Sequence, residues 1–452
     1  MTDRGGFVWG AATAAFQIEG ATTADGRGES IWDRFAATDG KVALGDTGDP
    51  ACEHYYRWRD DLDLMRSLGL QGYRFSISWP RIQPTGRGAA NRRGLDFYRG
   101  LVEGMLERGI APLATLYHWD LPQALQDEGG WASRDVVERF TEYAAIVFDE
   151  LGDLVSDWIT HNEPWVTAFL GYAFGSKAPG LRDWPSALRA AHHSLLAHGA
   201  AVRAFRERVA DGRIGITLDL TVAKPAGPSA EDAAAARRLD GHHNRWFLDP
   251  IFRGSYPADT VELYESRVDP FDAVQDGDLE LISERIDFLG VNFYRPNLVR
   301  SVDDGSVLGL EEVDPDVEHT AMGWPIVPSA LTELLERLGR DYGDVPFVIT
   351  ENGAAFDDAL DGTDVVEDDR RVAYLRGHID AVERARELGV DVRGYYVWSL
   401  LDNFEWEHGY AKRFGIVFVD FPTQRRIPKR SALWYRDLIA ASTNGGRPDG
   451  EH

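Results

Sequence analysis

Two glutamates sit in surroundings that ordinary surface acids lack. Glu163 lies in Asn162-Glu163-Pro164 and Glu351 in Glu351-Asn352-Gly353, each at the end of a short apolar run rich in β-branched and aromatic residues. Other run ends carry Gln17 with Glu19, Arg74 ahead of Ser78-Trp79-Pro80, His118-Trp119-Asp120, Asn292 with Tyr294, and Trp398. Carboxylates, amides and indoles, without lysines or a metal cage, suit a sugar. Acids and amides bond hydroxyls, and indoles cover the C–H faces of pyranose rings. The paired carboxyl groups add reactivity. Glycoside cleavage needs one to protonate the leaving oxygen and a second across the anomeric carbon. One glutamate among 74 acidic residues is ordinarily a solvated charge. Two at opposite strand ends, flanked by Asn and Trp, are better explained as a working pair.

The elements that must hold these residues recur eight times: Phe7–Ala14, Tyr73–Ser78, Ala111–Tyr117, Val155–Asn162, Arg213–Leu220, Phe288–Tyr294, Pro346–Asn352 and Val392–Leu400. Most are continuously apolar, as parallel strands covered on both faces are. Helical periods separate them. Positions 95, 98, 102, 105 and 106 share a face of Leu95–Arg108, and 136, 137, 140, 144, 147, 148 and 151 share one in Ser133–Leu151, with Ser133 as the expected N-cap. Ser329–Leu338 and Asp369–Leu388 follow the same pattern. The alternation predicts an α/β fold, a single (β/α)8 barrel of the TIM type. Its strand starts lie further apart than the about 30 residues of a minimal unit, so long βα loop insertions are expected. An open doubly wound sheet would want a strand–GxGxxG–helix unit; the glycines at Gly26–Gly28 and Gly86–Gly88 suit turns instead. Residues 1–442 are expected to form this one barrel and 443–452 a flexible polar tail.

Composition narrows the function classes. A formal net charge of −26 disfavours nucleic acid and anionic membrane surfaces as partners. No run approaches the about 20 apolar residues of a membrane span, and Met1–Gly10 lacks the apolar stretch of a signal peptide. The single cysteine, Cys52, has no internal partner, which fits a reducing compartment. A cytoplasmic protein is expected, with room for a homo-oligomer. The twelve histidines show no HExxH spacing, so neither metal nor cofactor is implied. His192-His193 and His242-His243 fall on helical stretches that suit packing or surface roles.

The chain resembles glycoside hydrolase family 1, the β-glucosidase family, from Phe7 to about Leu438. The resemblance rests on seven ordered segments: Phe7-Val-Trp-Gly through Gln17-Ile-Glu-Gly, Tyr73-Arg-Phe-Ser-Ile-Ser-Trp-Pro, Leu116-Tyr-His-Trp-Asp-Leu-Pro, Thr160-His-Asn-Glu-Pro-Trp, Gly290-Val-Asn-Phe-Tyr294, Ile349-Thr-Glu-Asn-Gly, and Trp398-Ser-Leu-Leu-Asp-Asn-Phe-Glu-Trp406. It implies a retaining double displacement on small β-glycosides or oligosaccharides, with Glu351 as nucleophile and Glu163 as acid, then base. Arg74 and Tyr294 match residues that keep the nucleophile ionised and oriented. Gln17, His118, Asn162, Glu405 and Trp406 match positions that bind the hydroxyls of the terminal glycosyl unit, with Trp119 beside them and Asn292 in the same polar cluster. Trp398 matches the platform under that ring and Trp324 the platform under the aglycone.

The resemblance also frames the alternatives. It implies hydrolysis of terminal β-D-glucosyl units, with β-galactosyl or β-fucosyl units tolerated; the same site could serve mainly for transglycosylation. The 6-phospho branch replaces the Glu-Trp pair, whereas Glu405-Trp406 is present here, although Lys412-Arg413 lies close in sequence. Sugar-binding relatives without catalysis have lost a glutamate; both are intact. His161 stands where the family more often has an apolar residue and is expected in the barrel wall. Cys52 is expected to be buried and inert.

Overall fold

Strands apolar on both faces must be covered on both, and closing them into a barrel does so. The computed structural model describes residues 6–360 and 365–443. Its parallel strands are β1 (Val8–Ala12), β2 (Gly72–Ser76), β3 (Ala111–Tyr117), β4 (Asp157–Asn162), β5 (Arg213–Asp219), β6 (Phe288–Asn292), β7 (Phe347–Asn352) and β8 (Val392–Trp398), each beside the next, with β8 pairing back to β1. The outer layer includes α1 (His54–Ser67), α2 (Arg92–Glu107), α3 (Asp135–Leu151), α4 (Trp184–Arg208), α5 (Ser329–Tyr342), α6 (Asp369–Glu387) and α7 (Arg430–Thr443). Shorter helices, among them Ala230–Asp240 and Trp246–Arg253, carry the chain from β5 to β6. This is the expected (β/α)8 barrel with long insertions.

The insertions gather above the strand ends. A three-stranded sheet of Ala223–Pro225, Asn297–Ser301 and Leu310–Glu312 sits on the β5 and β6 side, and an antiparallel pair, Val417–Asp420 with Arg425–Pro428, follows β8. The packing around the barrel and beneath its loops is heavily aromatic. Trp32, Trp79, Trp131, Trp158 and Trp246 are fully buried, and each such ring removes about 150–250 Å² from water. Trp79 stacks on Tyr143 of α3 with centroids 4.9 Å apart.

The helices differ from expectation in detail. In α2, Leu101 is buried and Leu106 is exposed, because the stripe turns by 100° per residue and Leu106 lies past its edge. Helix α3 begins at Asp135 with no side-chain cap, so Ser133 does not cap it; Tyr143, not Val137, completes its buried face. Helix α5 continues beyond Leu338 to Tyr342. Several strands stop short of their apolar runs because the last residues leave the ladder to enter the loops. Thr443 is the final residue of α7, and the rest of the expected tail, 444–452, lies outside the described residues. Among the described residues no helix is long and apolar enough to cross a membrane.

One glycine sets how closely two site-bearing strands approach. A Cβ on Gly353, just past β7, would lie 1.6 Å from the carbonyl oxygen of Trp398 at the end of β8. That neighbour is backbone and cannot rotate away. Gly353→Ala is therefore expected to cost about 1–3 kcal/mol or more, visible as a lowered denaturant midpoint. An unchanged midpoint would mean that the two strand ends have slack.

Candidate active site

Residue alternation along β2 turns Tyr73 toward the helices and Arg74 into the barrel, where Arg74 is fully buried. Its Nη1 donates to Glu351 Oε1 on β7, and its Nη2 to Asn162 Oδ1 on β4 at 2.6 Å. Tyr294 Oη donates to the other oxygen of Glu351 at 2.7 Å. Asn292, ending β6, is oriented by Thr350 Oγ1, which donates to its Oδ1 at 2.7 Å. Its Nδ2 then reaches Glu163 Oε1 at 2.6 Å and Asn162 Oδ1 at 3.1 Å. One connected network thus links both glutamates across the barrel mouth.

The β4 end is bent to present Glu163. Its register against β5 shifts between Ile159 and Asn162, a local irregularity that re-aims a side chain. Glu163 adopts the left-handed region at φ 49°, as do Trp119 at 78° and Trp406 at 48°. Left-handed backbone is strained for such residues and persists where surrounding bonds over-determine it. Here Glu163 N–H donates to Thr217 O at 2.9 Å, and Trp119 Nε1 donates to Asn162 O at 3.0 Å.

These residues meet at a cavity of about 900 Å³. Of the thirteen expected site residues, His118, Trp119, Glu163, Asn292, Tyr294, Trp324, Glu351, Trp398, Glu405 and Trp406 line it. Arg74, Asn162 and Gln17 do not; they are buried behind those that do. Gln17 Nε2 donates to Asn403 Oδ1, Phe404 O and Glu405 Oε2, steadying the Glu405 loop. Asn162 Nδ2 donates to His118 Nε2 at 3.1 Å, which leaves the other ring nitrogen of His118 to carry the proton. Trp398 lies nearly parallel to His118, centroids 5.9 Å apart. Trp119 and Trp406 meet at 4.5 Å, and Trp324 leans on Tyr294 at 5.3 Å.

The loop after β8 is pinned from below. Asp402, fully buried, takes Lys429 at 2.7 Å, Arg413 at 2.7 Å and the Gly415 N–H at 3.0 Å. Arg413 is thereby committed, and Lys412 donates to Ala321 O; neither lines the cavity.

Burial dominates the electrostatics. It pushes Glu163 well above the usual carboxylate range, and the charges of Asp219 and then Glu351 push it further. Burial raises Glu351 as well, but the Arg74 charge and the Tyr294 hydroxyl pull it back. Of the two, Glu163 is the one built to hold a proton. Glu405 is lifted to about 8 by burial, against the pull of Lys177. Burial and the Arg74 charge keep His118 neutral.

Other candidates lie elsewhere. Glu19 pairs with Arg81 and Tyr98 away from the cavity. His161 packs on Phe140 at 4.5 Å, in the barrel wall as expected. His192 bonds Asp278 and Tyr256, and His193 bonds Trp131 O, as packing residues. His242 is buried and packs on Phe169 as expected, bonded by Tyr264 and Trp165 at the cavity wall, whereas His243 departs from a packing or surface role: it lines the cavity and pairs with Asp219 at 2.9 Å. Asp219 ends β5, so the same strand-end criterion that found Glu163 and Glu351 points to it. Lys177, also on the wall, is engaged by Glu407; an isolated lysine in a loop carries no such signal. Cys52 is buried and donates to Asp402 O, and burial raises its thiol far above the ordinary range.

A barrel enzyme with two carboxyl groups at facing strand ends, one of them clamped by an arginine and a tyrosine, belongs among the glycoside hydrolases. Residues 2–444 match the pattern of glycosyl hydrolase family 1, and the chain belongs to that family. It is 48% identical to beta-glucosidase A of Acetivibrio thermocellus, over 96% of this chain and 97% of that one. It is likewise 48% identical to a bifunctional beta-D-glucosidase/beta-D-fucosidase of Bifidobacterium breve, over 96% and 97% of the two chains. The solved family 1 β-glucosidase of Thermotoga maritima superposes with a TM-score of 0.94 at 47% identity, covering 98% of each chain.

Asp120, next to Trp119, offers a test of how dry this end of the barrel is. It is fully buried, and burial lifts its carboxyl to about 7, against the Ser78 hydroxyl and the Arg27 charge. The unfolded chain releases that proton near 3.8, so between about pH 4 and 7 the folded protein holds a proton the unfolded chain has lost. Stability from Asp120 is full below that window and falls as pH rises through it. Relative to the parent, Asp120→Asn should gain stability steadily from pH 4 to about 7 and show a constant difference above. Denaturant midpoints across this range check it; a pH-independent difference would mean that Asp120 titrates normally.

Proposed function

We propose that the protein is a retaining β-glucosidase that releases terminal, non-reducing β-D-glucosyl units from small β-glucosides. The observation that carries this is the asymmetry of the carboxyl pair. Glu351 has Arg74 on one oxygen and Tyr294 on the other, whereas Glu163 has the neutral amide of Asn292. An ionised, fixed carboxylate suits attack on carbon, and a protonated one suits donation to the leaving oxygen.

In the first half-reaction Glu351 Oε bonds to the anomeric carbon as the bond from that carbon to the aglycone oxygen breaks, and the Glu163 proton passes to that oxygen. In the second, water bonds to the anomeric carbon, the ester to Glu351 breaks, and Glu163 takes the water's proton. Loss of the Glu351 charge in the ester lowers the proton affinity of Glu163, but the carboxylate then formed is the base required. His118 and Glu405, held from behind by Asn162 and Gln17, would fix the sugar hydroxyls, with Asn292 in the same cluster; Trp398, Trp119 and Trp406 would shape the glycosyl pocket. Trp324 would carry the aglycone. The bifunctional relative supports a second sugar, β-D-fucose, which differs from glucose at two positions only. The buried, unpaired Cys52 supports a cytoplasmic location, and the acidic charge supports the absence of nucleic acid partners.

Two experiments test the proposal. Purified protein should release 4-nitrophenol from the β-D-glucoside and not from its 6-phosphate, and Glu351→Gln should abolish release while a 2-deoxy-2-fluoro glucoside labels Glu351 in the parent. Preference for the phosphate would move the protein to the phosphoglycosidases. Glu163→Ala should slow cellobiose by about 10²–10⁴-fold, the usual contribution of general acid catalysis, and 2,4-dinitrophenyl glucoside far less in its first half-reaction. Equal losses on both would remove the acid role.

A further inference from the structure

The cavity wall holds a titratable pair that the reaction above leaves unused. Asp219 closes β5, and His243 lies in the helical turn Gly241–Arg245. Asp219 Oδ2 and His243 Nε2 are 2.9 Å apart, while Asp219 Oδ1 is buried without a partner. The pair is held rigidly. Trp165, two residues past Glu163, lies over the His243 ring with centroids 4.1 Å apart and donates its Nε1 to His242. The Glu163 N–H bonds to Thr217 O, tying the two strand ends that carry Glu163 and Asp219.

On the footing of the retaining glycosidase assignment, we propose that Asp219 and His243 are positioning residues for the acid/base: the Asp219 carboxylate, aimed by His243, sets the proton affinity of Glu163 in both half-reactions. Glu351 loses its charge when the glycosyl ester forms, but Asp219 keeps its own. The glycosyl-enzyme therefore retains a negative charge beside Glu163, which keeps Glu163 basic enough to take the proton of water. In the free enzyme the charges of Asp219 and Glu351 add, and the proton stays until the leaving oxygen takes it. The groups around Glu163 are accounted for: Asp219 from β5, Glu351 from β7, Arg74 from β2, neutral Asn292 from β6 and Tyr294 just beyond it. Around Asp219 stand His243 and, behind it, His242; Arg295 lines the same cavity but is taken by Glu312 at 2.6 Å. Asp219 ranks ahead of Glu351 among the charges that raise Glu163.

The test uses the full chain. Parent turnover of 4-nitrophenyl glucoside and its loss in Glu351→Gln settle the glycosidase assignment independently. In Asp219→Asn the alkaline limb of kcat/KM, set by protonated Glu163, should move down by about half a pH unit or more. The kcat on 2,4-dinitrophenyl glucoside, limited by the second half-reaction, should fall several-fold. His243→Gln, which keeps a donor to the carboxylate, should move the limb less. Asp219→Ser serves if the amide variant does not fold, with the same expected shift. Lower kcat/KM with the limb unmoved would overturn the proposal, as would a raised KM for cellobiose alone, which would make Asp219 an aglycone contact.

Discussion

A single guanidinium organises the mouth of this barrel. Arg74 is fully buried and bonds to residues of strands that are not its neighbours, Glu351 on β7 and Asn162 on β4. Only a closed sheet brings those ends together, so the contact depends on the whole barrel and not on one hairpin. Leaving a buried charge unpaired is costly, and with the arginine inside, a carboxylate opposite it is the favourable answer. Both glutamates share the desolvation that raises carboxyl groups, but only one touches the cation. The division of labour we propose rests on that difference: the clamped group as the anion and the unclamped one as the acid.

Holding that geometry requires strain elsewhere. Glu163, Trp119 and Trp406 occupy the left-handed region, at about 1–3 kcal/mol each. Each is held by bonds or anchors from neighbouring backbone and loops. Asp402, with Lys429 and Arg413, anchors the segment that ends in Glu405 and Trp406. Gly353 allows the β7 and β8 ends to approach at the height of Trp398. The buried ion pairs beneath the loops are thus better understood as fixing loop shape than as adding stability, since buried pairs often roughly break even against desolvation.

How much of this is legible in the sequence depends on whether a residue's neighbours are set by period or by the closed fold. The eight apolar runs follow from local pattern, and each contributes a strand of the barrel, with Glu163 just past the end of β4 and Glu351 at the end of β7. The stripe of α2 was nearly right, failing at Leu106, where the helical period had already carried the chain past the buried face. The missing cap at Ser133 shows the limit of propensity, because the helix began two residues later without one. Asp219 satisfied the strand-end criterion but carried no striking neighbours in sequence. Its partner His243 is 24 residues away, and only the fold of the β5–β6 connection brings the two together. Gln17 and Asn162 were legible as polar residues of the site. That they stand behind Glu405 and His118 is a matter of packing depth, which no local period encodes.

The charge of the cavity bears on the ligand independently of any single residue. The formal charge of −26 is spread over a surface where many of the acids meet arginines. Inside the cavity the carboxyl groups of Glu351, Glu407 and Asp219 face Lys177 and Arg295, both of which are already engaged, by Glu407 and Glu312, while burial favours the neutral form of Glu163 and Glu405. A phosphate brought into that space would meet several carboxyl groups at low dielectric without a free cation on the wall, and such repulsion is many times stronger there than in water. A neutral pyranose meets no such barrier. Its hydroxyls can donate to the same carboxylates, and its C–H faces can rest on Trp398 and its neighbouring indoles. The buried, carboxyl-lined space that favours a protonated Glu163 thus suits an uncharged sugar better than a phosphate.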